Sequence, residues 1–278
     1  MYTRQQVLAR LRKTLDEGRP IIGSGAGTGI SAKFAERGGA DLILIYNSGR
    51  YRMAGHGSNA GLLAIGDANA IVVEMGERDV LPVVRETPVI AGVNGTDPTR
   101  VMPRFLAGLP PMGFSGVINF PSHGIIDGRW RESLEATGFG YDKEVEMIAE
   151  ARRQDQFTLA YCFTPDEGAR MTRAGVDVVV AHMGLTTGGS IGASDSFSRT
   201  VADSVELTRA IAEASRAVRG DVMVVTHGGP LESPDDARAV IVGARIEGFI
   251  GASTMERLPV ETAIEDTVRG FKEISLER

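Results

Sequence analysis

Cysteine is almost absent: Cys162 is the only one in 278 residues. A single thiol excludes an internal disulfide and fits a reducing compartment, so a cytoplasmic location is the expectation. No uninterrupted apolar run approaches the length of a membrane span, which argues against a membrane partner. Basic stripes are missing too. With 30 Lys+Arg against 36 Asp+Glu the formal charge is −6, a balance that disfavours nucleic acid as a partner. The four lysines, Lys13, Lys33, Lys143 and Lys272, all fall on predicted helices. That placement argues against a Schiff-base lysine at a catalytic strand end. What remains is 42% hydrophobic and 24% charged, enough apolar residue for a sizeable core. Met1–Gly18 reads as a polar amphipathic helix without a signal-peptide core.

The chain is organised around Val178–Gly189, an apolar β-branched run that breaks at His182 into a Gly/Thr-rich loop. A buried parallel strand ending in a functional loop explains it, and Val222–Pro230 is its nearest copy. Helical spacing of Val7, Leu8, Leu11 and Leu15 predicts a first helix over 3–17. Strands are then expected at 20–23, 42–45, 88–93, 114–120, 157–163, 176–181, 221–226 and 249–253. Helices alternate with them, and Gly248 is read as ending the one before the last strand. The segments 46–58 and 125–141 read as a loop and a long connection. Pro98 is expected to open a helix, as is the capping-box pattern at Thr164–Glu167. Val260, Ile264, Val268 and Phe271 mark a last helix. Eight strand–helix units in one domain predict an α/β fold, a (β/α)8 TIM barrel with an extra N-terminal helix spanning 1–18. The rival is an open doubly wound sheet. Its Gly-rich turn would be Gly23–Gly29, whose spacing departs from G-x-G-x-x-G, and no acidic residue closes the second strand at Ile45–Asn47.

In a barrel the active site lies in the loops at the carboxyl ends of the strands. All four histidines, His56, His123, His182 and His227, fall in predicted strand-exit segments. His182 and His227 occupy equivalent points of adjacent strands and should meet at the barrel mouth. As a pair they suit acid/base catalysis or metal ligation, with hydrogen-bonded structural histidines as the bland alternative. Glu256 joins them as a catalytic candidate, although Glu256–Arg257 also reads as an internal ion pair. The candidate ligand-binding residues are Ser24, Gly25, Asn47, Arg50, Asn94, Asn119, Thr187, Gly189, Gly228, Gly229 and Ser253. Gly228-Gly229 and Ser253 follow the seventh and eighth strands, where barrels commonly hold an anion; the alternative there is a tight turn. Arg52 and Tyr161 are further strand-end polar residues. Asp97 has a plainer role as a helix N-cap, and Cys162 reads as core.

The segments Ile45–Gly55, Ala91–Pro98, His182–Gly189, Thr226–Pro230 and Gly251–Pro259 resemble the phosphoenolpyruvate hydrolase-like family. It is also called the phosphonopyruvate hydrolase or TIM-barrel signal-transduction family. The same module forms the carboxyl-terminal half of the plant tomato mosaic virus resistance protein. The resemblance covers nearly the whole chain and implies a barrel with a small anionic substrate. Enzymes of the mutase/isocitrate lyase type hold Mg²⁺ in an acid cluster, and no such cluster is legible here. The metal therefore stays open, with Mg²⁺ as the candidate cofactor. The leading expectation is a hydrolase or lyase acting on a phosphorylated or phosphonate 2-oxo acid by His acid/base catalysis. The alternatives are a ligand-binding or signalling barrel without turnover and a metal-dependent hydrolase. A homo-oligomer is expected on general grounds.

Overall fold

Nearly every strand residue is apolar or small and buried on both faces, which only a sheet covered inside and out can satisfy. The computed structural model describes residues 1–193 and 198–276. The strands are β1 (Ile21–Gly25), β2 (Leu42–Ile45), β3 (Val89–Val93), β4 (Gly116–Asn119), β5 (Phe157–Cys162), β6 (Val178–His182), β7 (Met223–His227) and β8 (Gly248–Gly251). They pair in sequence order, all parallel, and β8 closes on β1. The expected (β/α)8 barrel is the fold. Its helices are α1 (Arg4–Asp16), α2 (Gly29–Arg37), α3 (Asn47–Met53), α4 (Ala68–Met75), α5 (Met102–Met112) and α6 (Gly128–Ala136). They continue with α7 (Tyr141–Arg153), α8 (Pro165–Arg173), α9 (Val201–Val218), α10 (Pro234–Ala244) and α11 (Arg257–Lys272). Among the described residues no helix is long and apolar enough to cross a membrane.

Strand side chains alternate between the barrel interior and the outer helix layer. Ile21, Leu42, Leu44, Ile90, Ile118, Leu159, Val178, Val180, Val225 and Ile250 fill the interior. Ile43, Ile45, Ala91, Val117, Val179 and Val224 face the helices. Helix α1 seals the amino-terminal end, where Val7 and Leu11 join the interior cluster. Its Arg4 binds Asp177 through Nε at 3.0 Å, and Asp177 accepts the Thr158 amide at 3.1 Å. Asp41 accepts the Ile22 amide at 2.8 Å in the same way. The repeated junctions Gly39-Ala-Asp and Gly175-Val-Asp are thus one device, a carboxylate completing the start of the preceding strand.

Several segments depart from the sequence reading. The expected loop 46–58 is largely helix α3, held by burial of Asn47, Ser48, Gly49 and Arg52 rather than by helix propensity. The long connection after β4 contains α6, which has no buried side chain and so carries no apolar period to detect. Helix α5 begins at Met102, four residues beyond Pro98, with Val101 at its N-cap. Gly248 does not end α10: the helix stops at Ala244, followed by Arg245 at φ 55°. A Cβ at Gly248 would collide with the Ile21 carbonyl, so this glycine lets β8 close on β1. Helix α11 forms as expected, but its stripe of Val260, Ile264, Val268 and Phe271 is 37–70% exposed.

Because Leu11 is fully buried at the sealed end, Leu11→Ala should cost about 2–5 kcal/mol of stability. Urea unfolding measures it. An unchanged midpoint would mean that α1 does not close the barrel.

Candidate active site at the barrel mouth

Tyr161, His182 and His227 end the inward-facing rows of β5, β6 and β7, and Tyr46 and Phe120 extend those of β2 and β4. Together they form the last side-chain layer before solvent. His182 and His227 are register partners, with ring centroids 4.6 Å apart. Tyr161 lies 4.8 and 4.9 Å from the two imidazoles and shares a 2.7 Å hydroxyl–hydroxyl hydrogen bond with Tyr46. Phe163 stacks on His182 at 4.6 Å. The two histidines meet as the sequence reading expects.

Their hydrogen bonds fix their protonation. A backbone amide only donates, and Gly184 N–H donates to His182 Nδ1 at 3.0 Å. The proton of neutral His182 therefore sits on Nε2. A carbonyl only accepts, and Ile250 O lies 2.7 Å from His227 Nδ1. His227 therefore donates from Nδ1 and leaves a lone pair on Nε2. Both rings are neutral at pH 7. Burial, reinforced by neighbouring His227, holds His182 well below the usual imidazole range. Burial also pushes His227 down to about 4, against the Ile250 hydrogen bond and aided by the Arg52 charge. The mouth thus offers one N–H donor and one base side by side.

Beside them is a buried ion pair. Arg52 Nε donates to Glu256 Oε1 at 2.9 Å, and Gly27 N–H donates to Glu256 Oε2 at 2.8 Å. The side chains are only 2% and 1% exposed. The segments that follow β1, β2 and β8 are tied together through one carboxylate. This corrects the expected Glu256–Arg257 pair: Arg257 instead binds Glu261 at 3.1 Å. Both oxygens of Glu256, a catalytic candidate in the sequence, are engaged in this pairing, and its side chain is not among those that line the chamber below.

The inner chamber is lined by Tyr46, Ser48, Arg52, Tyr161, His182, Thr186, His227 and Ser253, and holds about 40 Å³. Of the expected ligand-binding residues, Ser253 lines it. Gly228 and Gly229 (φ 74° and 62°) form a tight turn, in which Gly229 N–H donates to Gly184 O at 2.9 Å. Thr187 bonds the Glu232 carboxylate, and Gly189 lies against Arg257 and Glu261. Gly25 faces inward against Ala252, whereas Ser24 faces out toward Ile30 and Phe34. Asn47 donates to Gly61 O at 2.9 Å, and Arg50 pairs with Glu74 at the surface. Asn94 is held by Asn69 and Thr96. Asn119 faces outward, donating to Glu144 at 2.6 Å and accepting the Tyr161 amide at 2.6 Å. His56 is exposed, and His123 lies beside Glu144, 3.4 Å from its carboxylate. Two participants escape sequence reasoning. Tyr46 is recoverable, since alternation from Leu42 and Leu44 points it inward. Glu144 lies within α7, where no motif marks it.

These residues do not fit a divalent cation. Hard cations take carboxylate oxygens, and zinc takes several free donor atoms. Among the described residues no group of three or more His, Cys, Asp or Glu gathers. Both oxygens of Glu256 are engaged by Arg52 and Gly27, His182 Nε2 is protonated, and His227 Nε2 alone of the pair has a free lone pair.

Fold and site define an α/β barrel protein with a small polar chamber at the carboxyl end of its strands. Within that class the chain belongs to the phosphoenolpyruvate hydrolase-like family, whose pattern it matches over residues 6–274. It is 54% identical over 278 residues to the ToMV resistance protein Tm-1(GCR237) of Solanum lycopersicum, covering 100% of this chain and 36% of that protein. The ToMV susceptible protein tm-1(GCR26) from the same plant is 55% identical over 272 residues, 98% of this chain and 36% of that protein. The chain thus spans about a third of these relatives. Among solved structures, a phosphonopyruvate hydrolase complexed with oxalate and Mg²⁺ superposes with a TM-score of 0.58 at 19% identity, covering 98% of this chain and 88% of that one. An oxaloacetate acetylhydrolase gives 0.60 at 16% identity, with 96% and 88% covered. At such identities the likeness is one of fold.

Arg52→Met should cost about 3–5 kcal/mol, because it strands the Glu256 charge in a buried site. The double variant Arg52→Met/Glu256→Met should recover much of that loss. Chemical unfolding of both variants tests it; equal losses would mean that the pair is not coupled.

Proposed function

We propose that the barrel mouth cleaves a small 2-oxo acid by hydrolysis or lysis, with His227 as base and His182 as hydrogen-bond donor. The complementary protonation of the two Nε2 atoms carries this reading. Water at His227 Nε2 gives up a proton as its oxygen bonds to the substrate carbonyl carbon. His182 Nε2–H donates to the carbonyl oxygen as negative charge builds there. The bond from that carbon to its neighbour breaks, the electron pair stays with the leaving fragment, and the proton on His227 passes to it. For a phosphorylated or phosphonate oxo acid, water attacks phosphorus as the P–O or P–C bond breaks, the electron pair leaves with the organic fragment, and the proton on His227 passes to that fragment. Ser253 orients the acid, Arg52 and Glu256 position the mouth, and no step runs through a metal. Phosphoenolpyruvate, phosphonopyruvate and oxaloacetate are the first substrates to assay.

A second reading draws on the tomato relatives, whose names refer to virus resistance and susceptibility: a ligand-binding barrel without turnover. It predicts saturable binding with no product. The buried free thiol of Cys162 fits a reducing compartment, and we place the protein in the cytoplasm.

We also propose a homo-oligomer. The uncovered stripe of α11 is apolar, and so is the groove along the outer face of β8 and β1, lined by Ile22, Ile241, Val242, Phe249 and Met255. Each would bury the other's kind of surface.

His227→Gln should lower turnover about 10²–10⁴-fold. In the wild type, kcat/KM should hold across pH 5–7 and fall only as the pH drops through about 4, where His227 gains its proton. Undiminished turnover in the variant, or an acid limb near 6.5, would remove His227 as base. Ile264→Asp with Phe271→Asp should reduce the sedimenting species to a monomer; a wild-type protein that is already monomeric rules out the α11 contact.

A further inference from the structure

The inner chamber is too small for a whole substrate. Its volume of about 40 Å³ accommodates roughly three water-sized groups, the size of a carboxylate or a carbonyl with its water. It is not closed, however. Leu62, Ile125, His182, Gly184 and Leu185 line the chamber and also line a second cavity of about 810 Å³ directly outside it. Leu63, Ile126, Trp130 and Phe163 supply further apolar wall to that vestibule. Leu63 and Trp130 are each 64% exposed. Neither is spent on the protein's own core, and both line a cavity that leads to His182. Large side chains left in water at the entrance of a polar chamber are what an apolar ligand body covers.

Charge points the same way. Arg52 is the cation among the described chamber residues, and Glu256 already neutralises it. Arg199 lines the vestibule, but within the chamber a dianionic head would meet no free counter-charge. A single carboxylate next to a carbonyl requires much less.

We infer that the substrate is a monocarboxylic oxo acid with an extended apolar substituent, its head in the chamber between His182 and His227 and its body in the vestibule against Leu63, Trp130 and Phe163. This rests on the oxo-acid reading and adds the second half of the substrate. Phe163 covers one face of His182, so the head meets the imidazole at its Nε2 edge while the body leaves past Ile125.

Trp130 is the chain's single tryptophan, so its emission reports on the vestibule alone. Pyruvate and 2-oxooctanoate share a head and differ in the tail, and neither masks indole fluorescence. Titration of each into the full chain, followed by calorimetry and by Trp130 emission, should show 2-oxooctanoate binding at least ten-fold more tightly. It should also shift the emission to the blue, which pyruvate should not. Leu63→Ser, at a largely exposed position, should bring the ratio of the two constants close to one. Equal affinity of the two acids, or a ratio unmoved by Leu63→Ser, overturns the apolar body while leaving the oxo-acid reading in place. Binding of neither acid overturns the apolar body alone if phosphonopyruvate or oxaloacetate is turned over, and overturns both readings if neither of those reacts.

Discussion

The Arg52–Glu256 ion pair is the constraint on which the mouth of this barrel depends. One buried carboxylate receives the guanidinium from α3 and the amide of Gly27 from the segment after β1, and itself stands at the start of α11. Three strand-exit segments that share no sequence proximity are fixed against one another. Such a pair contributes little net stability compared with a well-packed apolar cluster, but losing either half leaves a buried charge without a partner. Its effect reaches the chemistry. Arg52 lines the chamber, and its charge adds to the burial that keeps His227 neutral.

The mouth sets two buried, neutral imidazoles side by side. Two imidazoles of the same residue type acquire opposite roles because their Nδ1 atoms face opposite partners, an amide for His182 and a carbonyl for His227. Both partners are main-chain groups, one in β8 and one in the segment after β6, so the fold itself sets the tautomers. The solved barrels of similar shape share too little sequence to bring their chemistry with them. The matching family and the tomato relatives cover this chain almost end to end, and their likeness extends to its sequence.

Much of this was legible beforehand, and the exceptions have causes. Short apolar runs at Leu42–Ile45 and Val178–Ala181 can only be strands buried on both faces, and eight of them alternating with helices leave few topologies. His182 and His227 stand out because each ends such a run. Helix α3 was hidden because its residues are turn-formers held by burial. Helix α6 was hidden because it buries nothing. Asn119 was misread because it is polar and near a strand end, yet alternation turns it outward to Glu144. The glycines at 228 and 229 read equally as anion cradle or tight turn, and the bond from Gly229 to Gly184 ties their segment to the one after β6.

By itself the sequence determined the alternation of elements, the closed parallel sheet, the sealing helix and the position of the histidine pair, because each follows from local periodicity and from the rule that buried strands need cover on both faces. The tertiary structure alone decided which polar residues face the chamber, which carboxylate answers Arg52, and which histidine keeps its lone pair. Those depend on partners distant along the chain, such as Ile250 for His227 and Glu256 for Arg52, and no local pattern encodes a distance between them.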